Sequence, residues 1–268
     1  MSVKPIIFSG PMVRALLEGR KTQTRRTCPQ PPKECGITYM LGNESWLPVE
    51  KRSPIRRTFE AWSGDLYHNR PEGHMCGSFE ILPRWQIGDL LYVRETCSAT
   101  VTHDALNAVR YEADQNWHVI DDTKEVADQW LKLYRYRGGL GATVPPIHMP
   151  RWASRLTLEV TDVRVQRLQE ISEADAEAEG IEDCKSGGLA PLWRVYGPPP
   201  KPAFGMIGNL SNNRGQFATD ARDSFSTLWD SIYEARGDGW NANPWVVALT
   251  FTVHKQNVSD LLKQREAA

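Results

Sequence analysis

Gly19-Arg20-Lys21-Thr22-Gln23-Thr24-Arg25-Arg26 is the stretch on which the reading of this chain turns. It follows Pro11-Met12-Val13-Arg14-Ala15-Leu16-Leu17-Glu18, where Val13, Leu16 and Leu17 recur at i, i+3 and i+4 and mark one face of a short helix. Pro11 suits the first helical position, and Gly19 suits the left-handed stop. The chain then leaves the helix carrying one ammonium, two hydroxyls and three guanidinium groups. That much positive charge is not buried without anionic company. The segment is therefore either a solvated basic turn or a surface that receives something anionic or polar.

Working outward, Lys4-Pro5-Ile6-Ile7-Phe8 is a short apolar run ended by Ser9-Gly10, and it predicts a first strand. If Thr22 to Arg26 is extended, Thr22, Thr24 and Arg26 share one face, with Gln23 and Arg25 on the other. Lys21 and Thr24 then share a pocket only if the chain turns at Gly19–Thr22. Ile87-Gly88-Asp89 reads as a turn, and Leu90 to Thr96 as a strand in which Arg94 and Glu95 serve either neighbouring charges or a substrate. Leu156 to Val165 alternates and is β-branched, which predicts a long strand bent near Asp162. Just before it, Trp152 between Arg151 and Arg155 either stacks on a base while the arginines meet phosphate, or plugs the end of the core.

A capping pattern, Ser172-x-x-Asp175, opens a predicted helix with an apolar stripe of Ile171, Ala174, Ala178 and Ile181. Asp175 and Glu179 fall on one shoulder of that stripe. Helix capping and the helix dipole suffice to explain Asp175. Glu179, a turn later beside Gly180, fits a carboxylate facing the basic loop, as an enzyme group or as a salt bridge. Further on, Phe225, Leu228, Trp229 and Ile232 predict a helix, Val246 to Val253 a closing strand, and residues 255–268 a polar, partly helical tail. Asp122 to Tyr136 predicts another helix, with Val126, Trp130 and Leu133 inward.

The order Gly-x-Lys-x-x-Thr-x-Arg, placed after a short strand and helix, resembles the signature of the ASCH family, small PUA-like β-barrels linked to RNA and modified nucleosides. Ser172-Glu173-Ala174-Asp175-Ala176-Glu177-Ala178-Glu179 is similar to the glutamate-bearing helix of the family member that removes the acetyl group of N(4)-acetylcytidine. The resemblance implies an α+β fold, a PUA-like mixed β-barrel with short helices and long loop insertions. It implies one domain over 1–268, with core pieces 4–26, 87–97, 151–182 and 222–254 and insertions 27–86, 98–150 and 183–221. Lys21, Thr24 and Glu179 are the implied catalytic residues, and Arg20, Arg25, Arg26, Arg94, Trp152 and Arg155 the candidates for substrate binding. Thr24 would be the nucleophile. Lys21 would be the base once its pKa falls well below ~10.4, and Glu179 would orient Lys21 or carry the proton to the leaving amine. The whole chain looks closer to the larger ASCH proteins of bacteria and their phages, so a non-catalytic RNA or modified-base reader and a phage accessory or morphogenetic protein stand beside the hydrolase. A nuclease is a further alternative, though no carboxylate cluster for a metal stands out.

Composition sets the remaining bounds. The 268 residues, 40% apolar, suffice for one generous core or two small ones. A net charge of −1 argues against a protein that coats nucleic acid without specificity, but it leaves room for a local basic pocket. No run is long enough for a membrane helix and the N-terminus lacks the apolar core of a signal peptide, so the expected location is the cytoplasm, with no membrane partner. Five cysteines at irregular spacing suit reduced thiols. Cys28, Cys35, His68, His74 and Cys76 match no paired-ligand spacing, so neither a metal site nor a cofactor is expected. The expected partner is a modified nucleoside or RNA.

Overall fold

The computed structural model describes residues 2–28, 83–121, 123–184, 192–197 and 217–267, and the backbone alone of short strands at 59–61, 79–81 and 206–207. The second basic cluster (Lys51, Arg52, Arg56, Arg57), together with Cys35, His68, His74 and Cys76, lies outside the described residues. In chain order the strands and helices begin with β1 Val3–Ile7, α1 Gly10–Leu17, β2 Gln23–Thr27, β3 Phe59–Ala61 and β4 Phe79–Ile81. There follow β5 Leu90–Arg94, β6 Cys97–Val101, β7 Asn107–Tyr111, β8 Trp117–Val119, α2 Lys124–Tyr134 and β9 Thr157–Arg167. The last are α3 Glu173–Ala178, β10 Trp193–Arg194, β11 Met206–Ile207, β12 Phe217–Ala218, α4 Ala221–Tyr233, β13 Trp245–His254 and α5 Val258–Glu266. The class is mixed α+β, and no sheet among the described residues closes into a barrel.

The contacts divide into two compact units. The first comprises Met1–Thr22, Gly88–Thr161 and Phe251–Ala268. Here β1 runs parallel to β5, from Val3 opposite Leu90 to Ile7 opposite Arg94, and β5 pairs antiparallel with the start of β9. The expected Gly-Asp turn forms, and the Asp89 carboxylate accepts from Lys4 Nζ at 2.6 Å and from the Ser2 hydroxyl at 2.7 Å. Helix α1 buries Val13 and Leu16, as its periodicity requires, together with Met12 and Ala15, while Leu17 is half-buried. It stops where Gly19 takes φ +77°, and the Arg20 and Lys21 amides both turn back to the Ala15 carbonyl. A side chain at Gly19 would meet open space, so glycine is needed there for its backbone freedom alone.

Residues 98–150, expected to be loops around one helix, instead hold the antiparallel sheet β6-β7-β8 as well as α2. Cys97, Val109, Tyr111, Trp130, Leu133 and Met149 make its core. The alternation that builds these strands is short and flanked by polar turns, so the apolar signal in the sequence is weak. Helix α5 docks through Val258 and Leu261, which pack with Leu90. Asn257 fastens its start, because Oδ1 accepts from the Ser259 amide at 2.9 Å while Nδ2 donates to the Arg151, Trp152 and Ser154 carbonyls. Asn257→Ala removes the cap and leaves those carbonyls short of a donor, and it should cost about 1–2 kcal/mol in a urea melt.

The second unit comprises Gln23–Ile87 and Asp162–Thr250. In it β2 pairs antiparallel with β13, from Thr27 opposite Val246 to Gln23 opposite Thr250. Strands β3 and β4 pair with each other, and β12 lies between β10 and β11. The core gathers Leu168, Ile171, Ala176, Ile181, Phe225, Trp229, Tyr233 and Val246. Two expectations change here. In α4 the buried residue near the end is Tyr233, stacked on Trp229 at 4.2 Å between ring centroids, while Ile232 is exposed. In α3 the apolar stripe holds in part, since Ile171 and Ile181 are buried and Ala178 is half-buried, but Ala174 is exposed and Ala176 and Glu179 are inward, with Asp175 half-buried. Asp175 and Glu179 are turned inward, while Glu173 and Glu177 stay exposed.

Candidate functional site

The side chain that draws α3 inward is Arg25. It is 2% exposed, and its guanidinium donates to Glu179 Oε1 at 3.1 Å and to Asp175 Oδ2 at 3.0 Å. Gln23, on the same face of β2, donates to Asp175 Oδ1 at 2.8 Å, and Arg164 reaches both Asp175 oxygens at 3.4 Å. Phe225 lies under the guanidinium, 6.0 Å from ring centroid to Cζ. A buried guanidinium is tolerable only with carboxylates in reach, and a six-residue helix is easily rotated to supply them. The cap is made by Ser172 Oγ, which accepts from the Asp175 amide at 3.1 Å. The Asp175 carboxylate therefore does more than compensate the helix dipole, because it is an ion partner of the buried Arg25.

Burial pulls the Asp175 carboxyl upward, but Gln23, Arg25 and Arg164 outweigh it and hold the group below the ordinary aspartate range. A depressed folded value contributes stability that is present above the unfolded pKa and is lost as pH falls through the folded one. Stability should therefore decline as the solution is acidified below about pH 4, and Asp175→Asn should flatten that part of the curve. Thermal melts of both proteins in steps of pH measure it.

The residues named by the ASCH resemblance are almost wholly withdrawn from solvent: Lys21 and Thr24 are each 1% exposed and Glu179 3%. Lys21 ends the turn after α1, with Nζ 5.4 Å from the centroid of the Phe8 ring. Thr24 Oγ1 is buried and makes no hydrogen bond to any described residue. Among the arginines, Arg20 is exposed and donates to Glu18 at 2.7 Å, and Arg26 reaches the Arg25 carbonyl at 3.3 Å. Arg94 donates to the Met149 carbonyl at 2.7 Å.

Trp152 and Arg155 belong to a different place. Both line a cleft of about 450 Å³ within the first unit, which none of Lys21, Thr24 and Glu179 lines. Arg155 is held between two carboxylates. Nε and Nη2 donate to Glu95 at 2.9 Å each, while Nη1 and Nη2 donate to Asp114 at 2.8 and 3.0 Å. Its guanidinium carbon sits 4.0 Å from the centroid of the Tyr111 ring. Burial pushes the Glu95 carboxyl up despite Arg155, whereas Asp114, also raised by burial, is brought below its ordinary range by Arg155 and Asn116.

The chain matches no family model, no curated protein and no solved structure. Among the described residues no group of three or more His, Cys, Asp or Glu side chains is placed to hold a metal ion, and no helix is long and apolar enough to cross a membrane. Cys97 and Cys184 are free thiols, and burial pushes Cys97 up to about 12.

Sequence reasoning missed Asp114 and Tyr111 as partners of Arg155, and Asn257 as the post that ties α5 to the Trp152 turn. Asp114-Gln115-Asn116 carries a turn signature that was legible, but its meeting with Arg155, forty-one positions away, was not.

Proposed function

We propose that this chain is a PUA-like ASCH protein that hydrolyses the amide of an N-acylated cytidine-type base, presented as nucleoside, nucleotide or RNA. The observation that carries the reading is the burial of Thr24 with a hydroxyl that has no hydrogen-bond partner among the described residues, at the position the signature reserves for a nucleophile. A buried hydroxyl without a partner costs about 1–3 kcal/mol, a cost tolerated where the group has work to do on a ligand. Thr24 Oγ attacks the acyl carbon and gives up its proton to a general base, the role that the resemblance implies for Lys21. The carbon–nitrogen bond then breaks as the leaving amine takes a proton through Glu179, and water cleaves the acyl-threonine ester. The Arg25 hydrogen bond fixes the direction in which the Glu179 carboxylate points.

The test is incubation of the protein with N(4)-acetylcytidine and chromatographic detection of cytidine and acetate. Product is expected from the wild type. Glu179→Gln should slow turnover by about 10²–10⁴-fold, because an amide cannot carry the proton. A panel of N-acylated cytidines with no product in any case would overturn the hydrolase reading. A non-catalytic reader of RNA or a modified base is the second reading, favoured by the cleft that holds Trp152 and Arg155.

A further inference from the structure

We infer that the cleft of the first unit is a binding site for a nucleotide, in which the Arg155 guanidinium is a stacking platform for the base and Lys255 is the contact for the phosphate. The inference concerns this cleft alone and stands whether or not Thr24 is a nucleophile. Its starting point is what Arg155 has left to offer. Four hydrogen bonds to Glu95 and Asp114 occupy the edge of the guanidinium, and Tyr111 covers one face. The side chain nevertheless keeps 17% of its exposure and lines the cleft. The edge that would grip a phosphate is therefore taken, and the second flat face remains for a planar ligand. Guanidinium planes stack on nucleobases, and a plane fixed by two carboxylates loses little freedom when it does so.

The charges on the lining place the other end of the ligand. Arg155 with Glu95 and Asp114 carries one net negative charge, which repels phosphate from the platform. Lys255, on the same cleft, is exposed and has no ion-pair partner among the described residues. Lys263, also on the lining, stands 3.8 Å from Asp260 in a pair too exposed to hold it firmly. Because Asp121 and Asp260 line the cleft as well, a bare polyanion would be poorly received; the ligand must also bring flat apolar surface, for which half-buried Trp152 is a second wall. The volume of about 450 Å³ falls within the ~300–1,000 Å³ usual for sites of this kind. A phosphate carried on a base describes both a free nucleotide and the phosphorylated end of an RNA.

Calorimetry at low salt with cytidine, cytidine 5′-monophosphate and a short oligoribonucleotide, with and without a 5′-phosphate, tests the assignment. The monophosphate or the phosphorylated oligonucleotide should bind more tightly than its unphosphorylated counterpart, and whichever binds better names the source of the phosphate. Lys255→Glu, at an exposed position, should weaken the phosphorylated ligand roughly ten-fold or more and leave cytidine nearly unchanged. Arg155→Lys keeps the charge and loses the plane, so it should weaken cytidine as well, in a protein whose melt shows it folded. Thr24→Val should bind as the wild type does, whatever its turnover. Absence of saturable binding by any phosphorylated ligand at millimolar concentration, equal affinity for it in wild type and Lys255→Glu, or its loss in folded Thr24→Val would each overturn the site.

Discussion

Thr24→Val is expected to give a protein at least as stable as the wild type that no longer turns over an N-acylated cytidine. The two outcomes share one cause. Valine keeps the β-branched shape that suits strand β2 and removes the one atom of Thr24 that is buried without a hydrogen bond. Relief of that desolvated hydroxyl should raise stability by about 1 kcal/mol, read as a higher urea midpoint at unchanged slope. The same hydroxyl is the nucleophile of the proposed reaction, and its loss should lower turnover by about 10³-fold or more. A purely structural threonine predicts the first result with no change in catalysis, and a hydrogen-bonded structural threonine predicts a loss of stability. Turnover surviving in a folded Thr24→Val would remove Thr24 from the mechanism.

Arg25→Met should destabilise the protein by about 3–5 kcal/mol, the usual cost of leaving one side of a buried ion pair without its partner. Glu179 would lose the guanidinium 3.1 Å away, and Asp175 would keep Gln23 and Arg164 but lose its closest cation. Helix α3 is the element that should give way first, since six residues supply little helical stability of their own. Adding Glu179→Gln removes one of the stranded charges, so the double variant should be less damaged than the sum of the singles. Strict additivity in chemical denaturation would show that the 3.1 Å contact carries no coupling.

Several features of this chain follow from local sequence. The run Val13-Leu16-Leu17 between Pro11 and Gly19 specifies a helix with a left-handed stop, and α1 ends where Gly19 takes φ +77°. Ser172 followed by Asp175 specifies the start of α3, and the hydroxyl accepts the Asp175 amide. The strands at Leu90–Arg94 and Trp245–His254 appear where alternation and β-branching put them. These signals need only residues a few positions apart, because caps, turns and pleats are decided by steric and hydrogen-bonding choices within one turn or one pair of residues.

The rotation of α3 was decided elsewhere. Its sequence put Asp175 and Glu179 on the shoulder of a stripe of Ile171, Ala174, Ala178 and Ile181, and the buried Arg25 about 150 positions away decided that this shoulder faces inward while Ala174 is left exposed. Arg155 shows the same dependence. Read locally it is a cation beside a tryptophan and available for phosphate; with Glu95 and Asp114 brought against it from sixty and forty-one positions away, only a flat face is left. Hydrophobic periodicity says which side of an element is apolar, but a guanidinium's partners are fixed by the fold that buries it, because the cost of an unpaired charge falls due only once water has been excluded.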